Sequence, residues 1–308
     1  MGNWADTAPV LLLVFNRPDH TAQVMEQIRQ AEPPQLFVGA DGPRADHPDD
    51  ARRCKRAREV ATRVEWDCEV RTLFRNENLG CKEAVSSAIT WFFEHVDEGI
   101  ILEDDCVPDP SFFPYCEYLL EKYRGDTRVS MVSGQNLLGT WKEDESSYHF
   151  SNFGGIWGWA TWSGMWDMYE IDEELKKPEH VRRVLEGALR EKLQVVLRSH
   201  GVNRALSGEL ESWGYQWFYA RILNHTLAIA PSRNLVSNIG FGTDATHTKQ
   251  PERKRQKAQS LSPPFIAPKS VLPDHKYDHK FFEASRGLGK NSILNFLRKR
   301  RIELEIMA

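Results

Sequence analysis

Short apolar runs alternate with helical patterns along the first half of this chain, and this alternation is what most restricts the folds it can adopt. Each run has the length of a buried strand and is followed by turn-forming residues. The predicted strands cover residues 9–15, 35–40, 69–74, 99–102 and 128–133. Residues 80–96 instead repeat apolar side chains at helical spacing. The sequence therefore predicts an α/β fold, with a mostly parallel, Rossmann-like central sheet flanked by helices. Ligands are expected beyond the carboxyl ends of the strands.

The composition is that of a globular protein and excludes several other classes. Hydrophobic residues make up 41% of the 308 residues and charged residues 27%, which excludes a disordered or collagen-like chain. The formal net charge of −4 offers no positive field to a nucleic-acid backbone, so no nucleic-acid partner is expected. Five cysteines without a C-x-x-C pair fit neither a disulfide framework nor a structural zinc site. Because no signal peptide or membrane-spanning apolar run is recognisable, we expect a cytoplasmic location.

Three consecutive carboxylates, Glu103, Asp104 and Asp105, directly follow the predicted strand at 99–102. A second triplet at 143–145 is equally acidic but has no strand before it. Carboxylates at the carboxyl end of a buried strand face the ligand cleft, and their hard oxygens suit Mg²⁺ or Mn²⁺ bound to a diphosphate. The sequence therefore predicts a cation site at the first triplet. The competing interpretation is a solvated turn.

Four segments near these strand ends occur together in a characteristic order. They are Leu-Leu-Leu-Val-Phe-Asn-Arg-Pro at 11–18, Asp-Gly-Pro-Arg at 41–44, Arg-Asn-Glu-Asn-Leu-Gly at 75–80, and the Glu-Asp-Asp turn at 103–105. Across about residues 8–125, their order and spacing resemble the GT-A glycosyltransferases. The Glu-Asp-Asp form is similar to that of N-acetylglucosaminyltransferases acting on N-glycans and O-mannosyl glycans. The remainder resembles bacterial family-2-type enzymes of surface-polysaccharide synthesis.

The resemblance implies donor-binding roles for residues at three strand ends. It assigns the nucleotide base and ribose to Phe15, Asn16, Arg17 and Asp41. The alternatives are a surface arginine at 17 and a turn-forming aspartate at 41.

The start of the helix at 80–96 is a candidate phosphate site. Asn78 and Gly80 open this helix and Lys82 lies in its first turn, where backbone N–H groups can bind an anion. The alternative is that Gly80 serves only as a helix cap.

The same resemblance suggests the metal ligands. It makes Asp105 the direct ligand, with Asp104 and Glu103 contacting the ribose, the donor sugar or metal-bound water. His247, in a glycine-rich loop, is a second candidate because a neutral imidazole suits Mn²⁺. A structural role for His247 is the alternative.

A general base is predicted at Glu211, because related bacterial enzymes carry an acidic residue ahead of Ser-Trp. Glu209 competes for that role, and Glu211 could instead be a helix-capping acid.

An aromatic and glycine-rich stretch begins near residue 153. Trp157, Gly158 and Trp159, together with Trp213, could form a platform on which a sugar ring stacks, because apolar sugar faces pack on aromatic planes. Aromatic clusters also bury large areas in ordinary cores, so core packing is the other interpretation.

The chain is predicted to divide into a GT-A-like catalytic domain at 1–249 and a basic, proline-containing extension at 250–308. Within the domain, about 8–125 would bind the nucleotide sugar and about 126–249 the acceptor. The extension is expected to wrap rather than pack, and to end in a helix from Lys290 to about Ile306. That helix combines an apolar face with a basic cluster. It would either touch an anionic membrane surface peripherally or dock on the domain.

The sequence as a whole predicts a metal-dependent, inverting glycosyltransferase. Its donor would be a nucleoside diphosphate sugar, with UDP favoured, and its acceptor a hydroxyl of a carbohydrate or lipid-linked glycan in surface-polysaccharide or glycan synthesis. One rival is a nucleotidyltransferase, which should carry a glycine-rich loop with lysine or arginine after its first strand. The loop at 16–19 has an arginine and no glycine. The other rival is a non-catalytic module that binds sugar nucleotides or glycans.

Overall fold

The computed structural model describes residues 8–240 and 256–285. It confirms the predicted class, since an eight-stranded, mostly parallel central sheet is flanked by helices in a Rossmann-like arrangement. The predicted strands at 35–40 and 69–74 have the observed bounds, and the other three differ by one residue at one or both ends. β1, β2 and β6 are buried along nearly their whole length, so each appears in the sequence as a short continuous apolar run, which is a local property of the chain.

The strands form one large sheet and one small one. In the large sheet the spatial order is β3-β2-β1-β4-β8-β6-β9-β7, and the small sheet pairs β10 with β5. The strands are β1 (Val10–Val14), β2 (Gln35–Ala40), β3 (Glu69–Phe74), β4 (Glu98–Glu103), β5 (Cys106–Pro108), β6 (Val129–Ser133), β7 (Tyr148–Ser151), β8 (Trp159–Trp162), β9 (Leu227–Pro231) and β10 (Val236–Asn238).

Helices cover both faces of the large sheet. They are α1 (Pro18–Ala31), α2 (Asp50–Ala61), α3 (Gly80–Phe93), α4 (Phe112–Tyr123), α5 (Ser163–Trp166), α6 (Pro178–Ala188), α7 (Lys192–Leu206), α8 (Trp213–Leu223) and α9 (His275–Ser285). Leu12 of β1 packs in the core with α1 and α4, whereas Leu11 and Leu13 pack in a second core with α3 and α6 to α9. Successive side chains of a strand point to opposite faces, so β1 has to be apolar throughout.

The parallel strands β1, β2 and β4 end side by side. Val14 of β1 is in register with Ala40 of β2, and Leu13 of β1 is in register with Glu103 of β4. The residues that follow these strands therefore emerge at one edge of the sheet. The antiparallel pair β5 and β10 adds Asn238 to that edge, opposite Cys106. The register alone thus brings residues near 15, 41, 104 and 238 together.

The C-terminal part differs from the expected linker where it is described. Residues 256–285 pack against the domain, because Phe265, Tyr277, Phe281 and Phe282 are all buried. The prolines of this segment predict a loop, but the buried apolar area of these aromatic side chains stabilises its packing on the domain. The predicted helix at 290–306, with its membrane or docking role, lies outside the described residues, and the division at 249 stays a prediction. No helix in the described ranges is long and apolar enough to cross a bilayer.

Candidate functional site

A cleft of about 610 Å³ lies at the carboxyl ends of β1, β2 and β4. One wall consists of these strand ends and the first turns of α3. The other wall consists of residues 156–157 and 210–213 together with Tyr215. Its volume suits a small-molecule ligand, and open α/β sheets bind their ligands at this edge.

The acidic turn after β4 faces this cleft, and Arg17 bridges two of its carboxylates. Arg17 Nη2 lies 2.5 Å from Asp104 Oδ1, and Arg17 Nη1 lies 2.8 Å from Asp105 Oδ2. Asp104 and Asp105 are only 2% and 9% exposed. The resemblance predicts that Arg17 contacts the base or ribose, but here its guanidinium pairs with Asp105, the predicted metal ligand, and with Asp104. A guanidinium remains charged at any physiological pH, so this is a permanent positive charge beside the acidic turn.

The remaining oxygen of each aspartate is held by the protein. Asp104 Oδ2 accepts a hydrogen bond of 3.1 Å from the backbone N–H of Phe15. Asp105 Oδ1 accepts hydrogen bonds from Asn238 Nδ2 at 3.2 Å and from the Cys106 thiol at 3.3 Å. Each aspartate is therefore fixed through one oxygen, and its other oxygen is paired with Arg17.

Glu103 differs from its two neighbours. Within the described parts of the chain, no hydrogen-bond donor reaches its carboxylate, although it lines the cleft. Burial raises the pKa of Glu103, and the charges of Asp105 and Asp104 raise it further. Burial also raises the pKa of Asp104, while Arg17 acts in the opposite direction. Charge repulsion in this turn favours a cationic partner.

The donor set fits Mg²⁺ or Mn²⁺ held in the manner usual for nucleotide enzymes. The described residues contain no group of three or more metal-ligating side chains arranged around one point. Mg²⁺ is commonly bound by one or two carboxylates, with water and substrate phosphates completing its shell. Asp104 and Asp105 supply hard oxygens of that kind at the cleft, so the residues present fit such an ion. His247 lies outside the described residues.

Glu211 lies on the opposite wall and packs against the start of α3. A Cβ atom added to Gly80 would lie 2.8 Å from Glu211 Oε1, and Gly80 has a φ of +80° that side chains rarely adopt. Gly80 thus permits a close approach that no other residue would allow. Burial raises the pKa of the adjacent Cys81 to about 12, and the charges of Glu103 and Glu211 add to that shift. Glu103 and Glu211, on opposite walls of the cleft, therefore both lie near the Cys81 thiol.

Glu209, the competing candidate base, does not line the cleft. Its side chain is 67% exposed and lies 3.5 Å from Arg204.

Asp41 connects the end of β2 to the start of α3. Its Oδ1 accepts hydrogen bonds from the backbone N–H groups of Gly42 at 2.8 Å and Leu79 at 2.9 Å, and its Oδ2 accepts one from Asn78 Nδ2 at 2.8 Å. Burial raises the pKa of Asp41. Asp41 and Asn78 therefore hold each other and fix the loop before Gly80. Both also line the cleft, so their contact with a donor stays a prediction.

Asn16 does not line the cleft, in contrast to its neighbours Phe15 and Arg17. Its side chain is buried and donates a 2.7 Å hydrogen bond to Asp50. Asp50 in turn binds Arg44 through Nε at 2.6 Å, and the Arg44 guanidinium lies 5.4 Å from the centre of the Phe15 ring. Asn16 therefore acts through this network, which sets Arg44 beside Phe15 in the cleft.

Lys82 also lies away from the cleft. Its Nζ donates a 2.7 Å hydrogen bond to the carbonyl of Ala205, at the end of α7, and burial lowers its pKa. The first turn of a helix presents successive side chains in different directions. Gly80 and Cys81 therefore face the cleft, whereas Lys82 contacts the second half of the molecule.

The aromatic platform is smaller than predicted. Trp159 is 1% exposed and stacks on Trp213, with ring centres 5.7 Å apart and an angle of 22°. Gly158 has a φ of +67°, and a Cβ there would lie 2.8 Å from Val236. Both residues serve packing and do not line the cleft. Trp157 and Trp213 remain on its wall.

The lining residues that received no role from the sequence include Arg44, Arg75, Asn238 and Gly240. Arg44 and Arg75 follow predicted strands closely, so their positions after β2 and β3 were a usable signal. Asn238 and Gly240 reach the site only through the pairing of β10 with β5, which depends on tertiary structure.

The comparisons with known proteins give no family for this chain. No family model matches the chain, and no curated protein matches it either. Among solved structures, it is similar to UTP-bound UGPase from Acinetobacter baumannii, with 8% identity and a TM-score of 0.36. The match covers 73% of this chain and 85% of that one. A likeness this distant assigns no reaction to the chain.

Proposed function

We propose that this chain is a glycosyltransferase that uses a divalent cation and a nucleoside diphosphate sugar. One observation carries the proposal. The acidic turn after β4 and Glu211, which precedes α8, line one cleft although they are about a hundred residues apart in the chain. A cation site and a separate proton acceptor are what sugar transfer to a hydroxyl requires.

We assign the cation and the proton acceptor to opposite walls of the cleft. Asp104 and Asp105 would hold the cation, which supplies positive charge for the diphosphate as it departs. Glu211 accepts the proton of the acceptor hydroxyl while that oxygen bonds to the anomeric carbon. The bond from that carbon to the diphosphate oxygen breaks, and the nucleoside diphosphate leaves with the electron pair. A single displacement with one base inverts the anomeric configuration.

The remaining lining residues suit the two substrates. Phe15, Arg44 and Asp41 are placed to meet the nucleoside, for which we favour uridine, and Gly80 the phosphates. Trp157 offers an aromatic face to the acceptor. We propose as acceptor a carbohydrate or lipid-linked glycan handled in the cytoplasm, in surface-polysaccharide or glycan synthesis.

Nucleotidyl transfer is the second candidate, and the position of Arg17 favours it. That enzyme class uses a basic residue in the loop after the first strand, and Arg17 projects from this loop into the cleft. Enzymes of that class should also carry a glycine-rich loop at this point, but the loop at 16–19 has no glycine. The two candidates differ in their products: nucleotidyl transfer consumes a nucleoside triphosphate and a sugar phosphate and releases pyrophosphate.

The deciding experiment measures both products with matched variants. UDP-, GDP-, CDP- and dTDP-sugars are incubated with the protein and Mn²⁺, Mg²⁺ or EDTA, and nucleoside diphosphate release is followed. In parallel, pyrophosphate release is followed with the corresponding triphosphates and sugar 1-phosphates. Glycosyltransferases often hydrolyse their donor slowly, so an unknown acceptor does not prevent detection.

Glu211→Gln should lower the rate of diphosphate release by about 10²- to 10⁴-fold, because it removes the general base. Glu209→Gln is the matched control, since Glu209 lies two residues away outside the cleft, and its rate should stay within about twofold of the parent, as for surface changes. Pyrophosphate as the only product would establish the second candidate. Binding of a donor without either product would indicate a non-catalytic module.

A further inference from the structure

Arg17 occupies the side of the acidic turn that a metal ion would need. Its two terminal nitrogens contact Asp104 Oδ1 and Asp105 Oδ2, and the other oxygen of each aspartate already accepts hydrogen bonds from the protein. The oxygens left for a cation are thus those paired with Arg17, together with the carboxylate of Glu103.

The surroundings of Asp105 prevent it from turning away from Arg17. Its Oδ1 is held by Asn238, and its Oδ2 faces the backbone of Gly240, where an added Cβ would lie 2.1 Å from that oxygen and 3.0 Å from Arg17 Nη1. The small sheet of β5 and β10 fixes Asn238, and the carbonyl of Asp105 accepts a 2.8 Å hydrogen bond from the backbone N–H of Ile239. Asp105 therefore stays in place, and any rearrangement of the pair falls to Arg17.

The backbone of Arg17 is held in place, whereas its side chain can change conformation. It precedes α1, and its carbonyl accepts hydrogen bonds from the backbone N–H and the hydroxyl of Thr21, at 2.9 and 2.8 Å. The side chain is 17% exposed at the edge of the cleft. Several rotatable bonds separate the fixed backbone from the guanidinium, so it can leave the carboxylates without any change in α1.

From this geometry we infer that Arg17 competes with the divalent cation for Asp105 and weakens cation binding in the nucleotide-free cleft. A cation at Asp105 would face the like charge of Arg17, which would then keep Asp104 but lose its contact with Asp105. A bound diphosphate supplies a new anionic partner for Arg17, so the cation enters most readily together with the nucleotide. This inference rests on the proposed function, and it makes Arg17 a positioning residue that orders the binding steps.

Direct measurement of Mn²⁺ binding tests the competition without relying on activity. Isothermal titration of the whole protein with Mn²⁺ alone, and with preformed Mn²⁺–UDP, is compared for the parent, Arg17→Gln and Arg17→Lys. Arg128→Gln is the matched control, because it removes the same charge from a surface pair with Asp126 that does not line the cleft. Thermal unfolding of each variant, with and without Mn²⁺, reports whether it is folded.

Arg17→Gln should bind Mn²⁺ alone at least about tenfold more tightly than the parent, because a like charge near the site is removed. For Mn²⁺–UDP the advantage should disappear, since Arg17 then has the diphosphate as its partner. Arg17→Lys, which keeps the charge on a single nitrogen, should lie between the two. Should Arg17→Gln be too unstable to titrate, the intermediate affinity of Arg17→Lys still supports the inference, and a parental affinity overturns it.

Two outcomes contradict the inference in different ways. Equal Mn²⁺ affinity in the parent and Arg17→Gln, in a protein that also binds Mn²⁺–UDP and releases UDP from its donor, overturns the competition and leaves the proposed function intact. Failure of every protein to bind Mn²⁺, alone or with UDP, overturns both.

Discussion

The two acidic triplets of this chain have nearly the same composition and opposite surroundings. Glu103, Asp104 and Asp105 end a buried strand, face a cleft and share Arg17. Glu143, Asp144 and Glu145 are exposed in a surface turn, where Glu143 lies 2.7 Å from Arg233. The first set is held at high electrostatic cost, whereas the second is hydrated. Position at the end of a parallel strand, rather than the acidic sequence itself, gives carboxylates a chemical role.

The two triplets also differ in how much their charges affect stability. Water screens the exposed triplet, so its ion pair contributes little. The buried triplet keeps unfavourable charge repulsion that a bound cation would relieve. Functional sites commonly show this kind of local destabilisation. Substitutions in both triplets, and at Trp157 and Trp159, test how much of each effect comes from burial at the cleft.

The largest expected effect follows substitution of Asp105. Asp105→Asn should lower donor cleavage by about 10³-fold, the size of effect seen when a group that stabilises developing charge is removed. Asp144→Asn, the equivalent change in the exposed triplet, should leave the rate within about twofold, as is usual for surface changes. Initial rates of nucleoside diphosphate release at saturating Mn²⁺ provide the measurement. Equal losses in the two variants would mean that the buried triplet has no special part in the reaction.

The second largest effect extends the comparison to Trp159 and Trp157 of the predicted aromatic platform. Trp159→Ala should lower the free energy of unfolding by about 3–5 kcal/mol, because a fully buried ring in contact with Trp213 and Trp217 is lost. Trp157→Ala should cost much less, since Trp157 is only partly buried at the cleft. Urea denaturation measures both. A similar cost for the two would show that Trp157 is also core, and would remove it as an acceptor platform.

The sequence predicts where the strands end, but not which distant residues come into contact. Strand ends are set by local apolar patterns, so the acidic turn, Asp41 and Phe15 could all be placed at one edge before the structure was known. Their partners could not be assigned in the same way. Trp157 and Trp159 are equally aromatic in sequence, and only the pairing of β8 with β4 and β6 decides which of them is buried.

Lys82 and Arg17 also lie elsewhere than predicted. The causes are the direction of a side chain in the first turn of α3 and a contact between residues far apart in the chain. Lys82 and Gly80 are two residues apart at the start of α3, yet only Gly80 faces the cleft. The exact helix start decides that direction, and sequence patterns fix helix ends poorly. The bridge from Arg17 to Asp105 joins residues 88 positions apart. No local pattern encodes it, which is why Arg17 was expected at the nucleotide instead.

The smallest expected effect is a gain in stability at Glu103. Its carboxylate is partly buried beside two others, and burial together with their charges raises its pKa. A raised carboxyl pKa means that folding disfavours the ionised form. Glu103 therefore lowers stability once the pH rises above the pKa that this carboxyl has in the unfolded chain. Glu103→Gln should therefore raise the free energy of unfolding by about 1 kcal/mol at pH 8, in the range of other stabilising changes at strained sites. The gain should shrink as the pH falls toward 4, where the native carboxyl is already protonated. Urea denaturation across this pH range measures it in metal-free buffer.

Glu143→Gln is the control for that experiment, and it should behave in the opposite way. It removes a surface pair with Arg233, so the free energy of unfolding should fall by about 0.5 kcal/mol or less, and the loss should vanish at high salt because exposed charges are screened. If Glu103→Gln instead lowers stability at pH 8, its carboxylate is satisfied in the folded protein and the strain ascribed to the buried triplet is absent. If it raises stability while donor cleavage falls, the repulsion that costs folding energy at this turn is the same feature that favours a cation there.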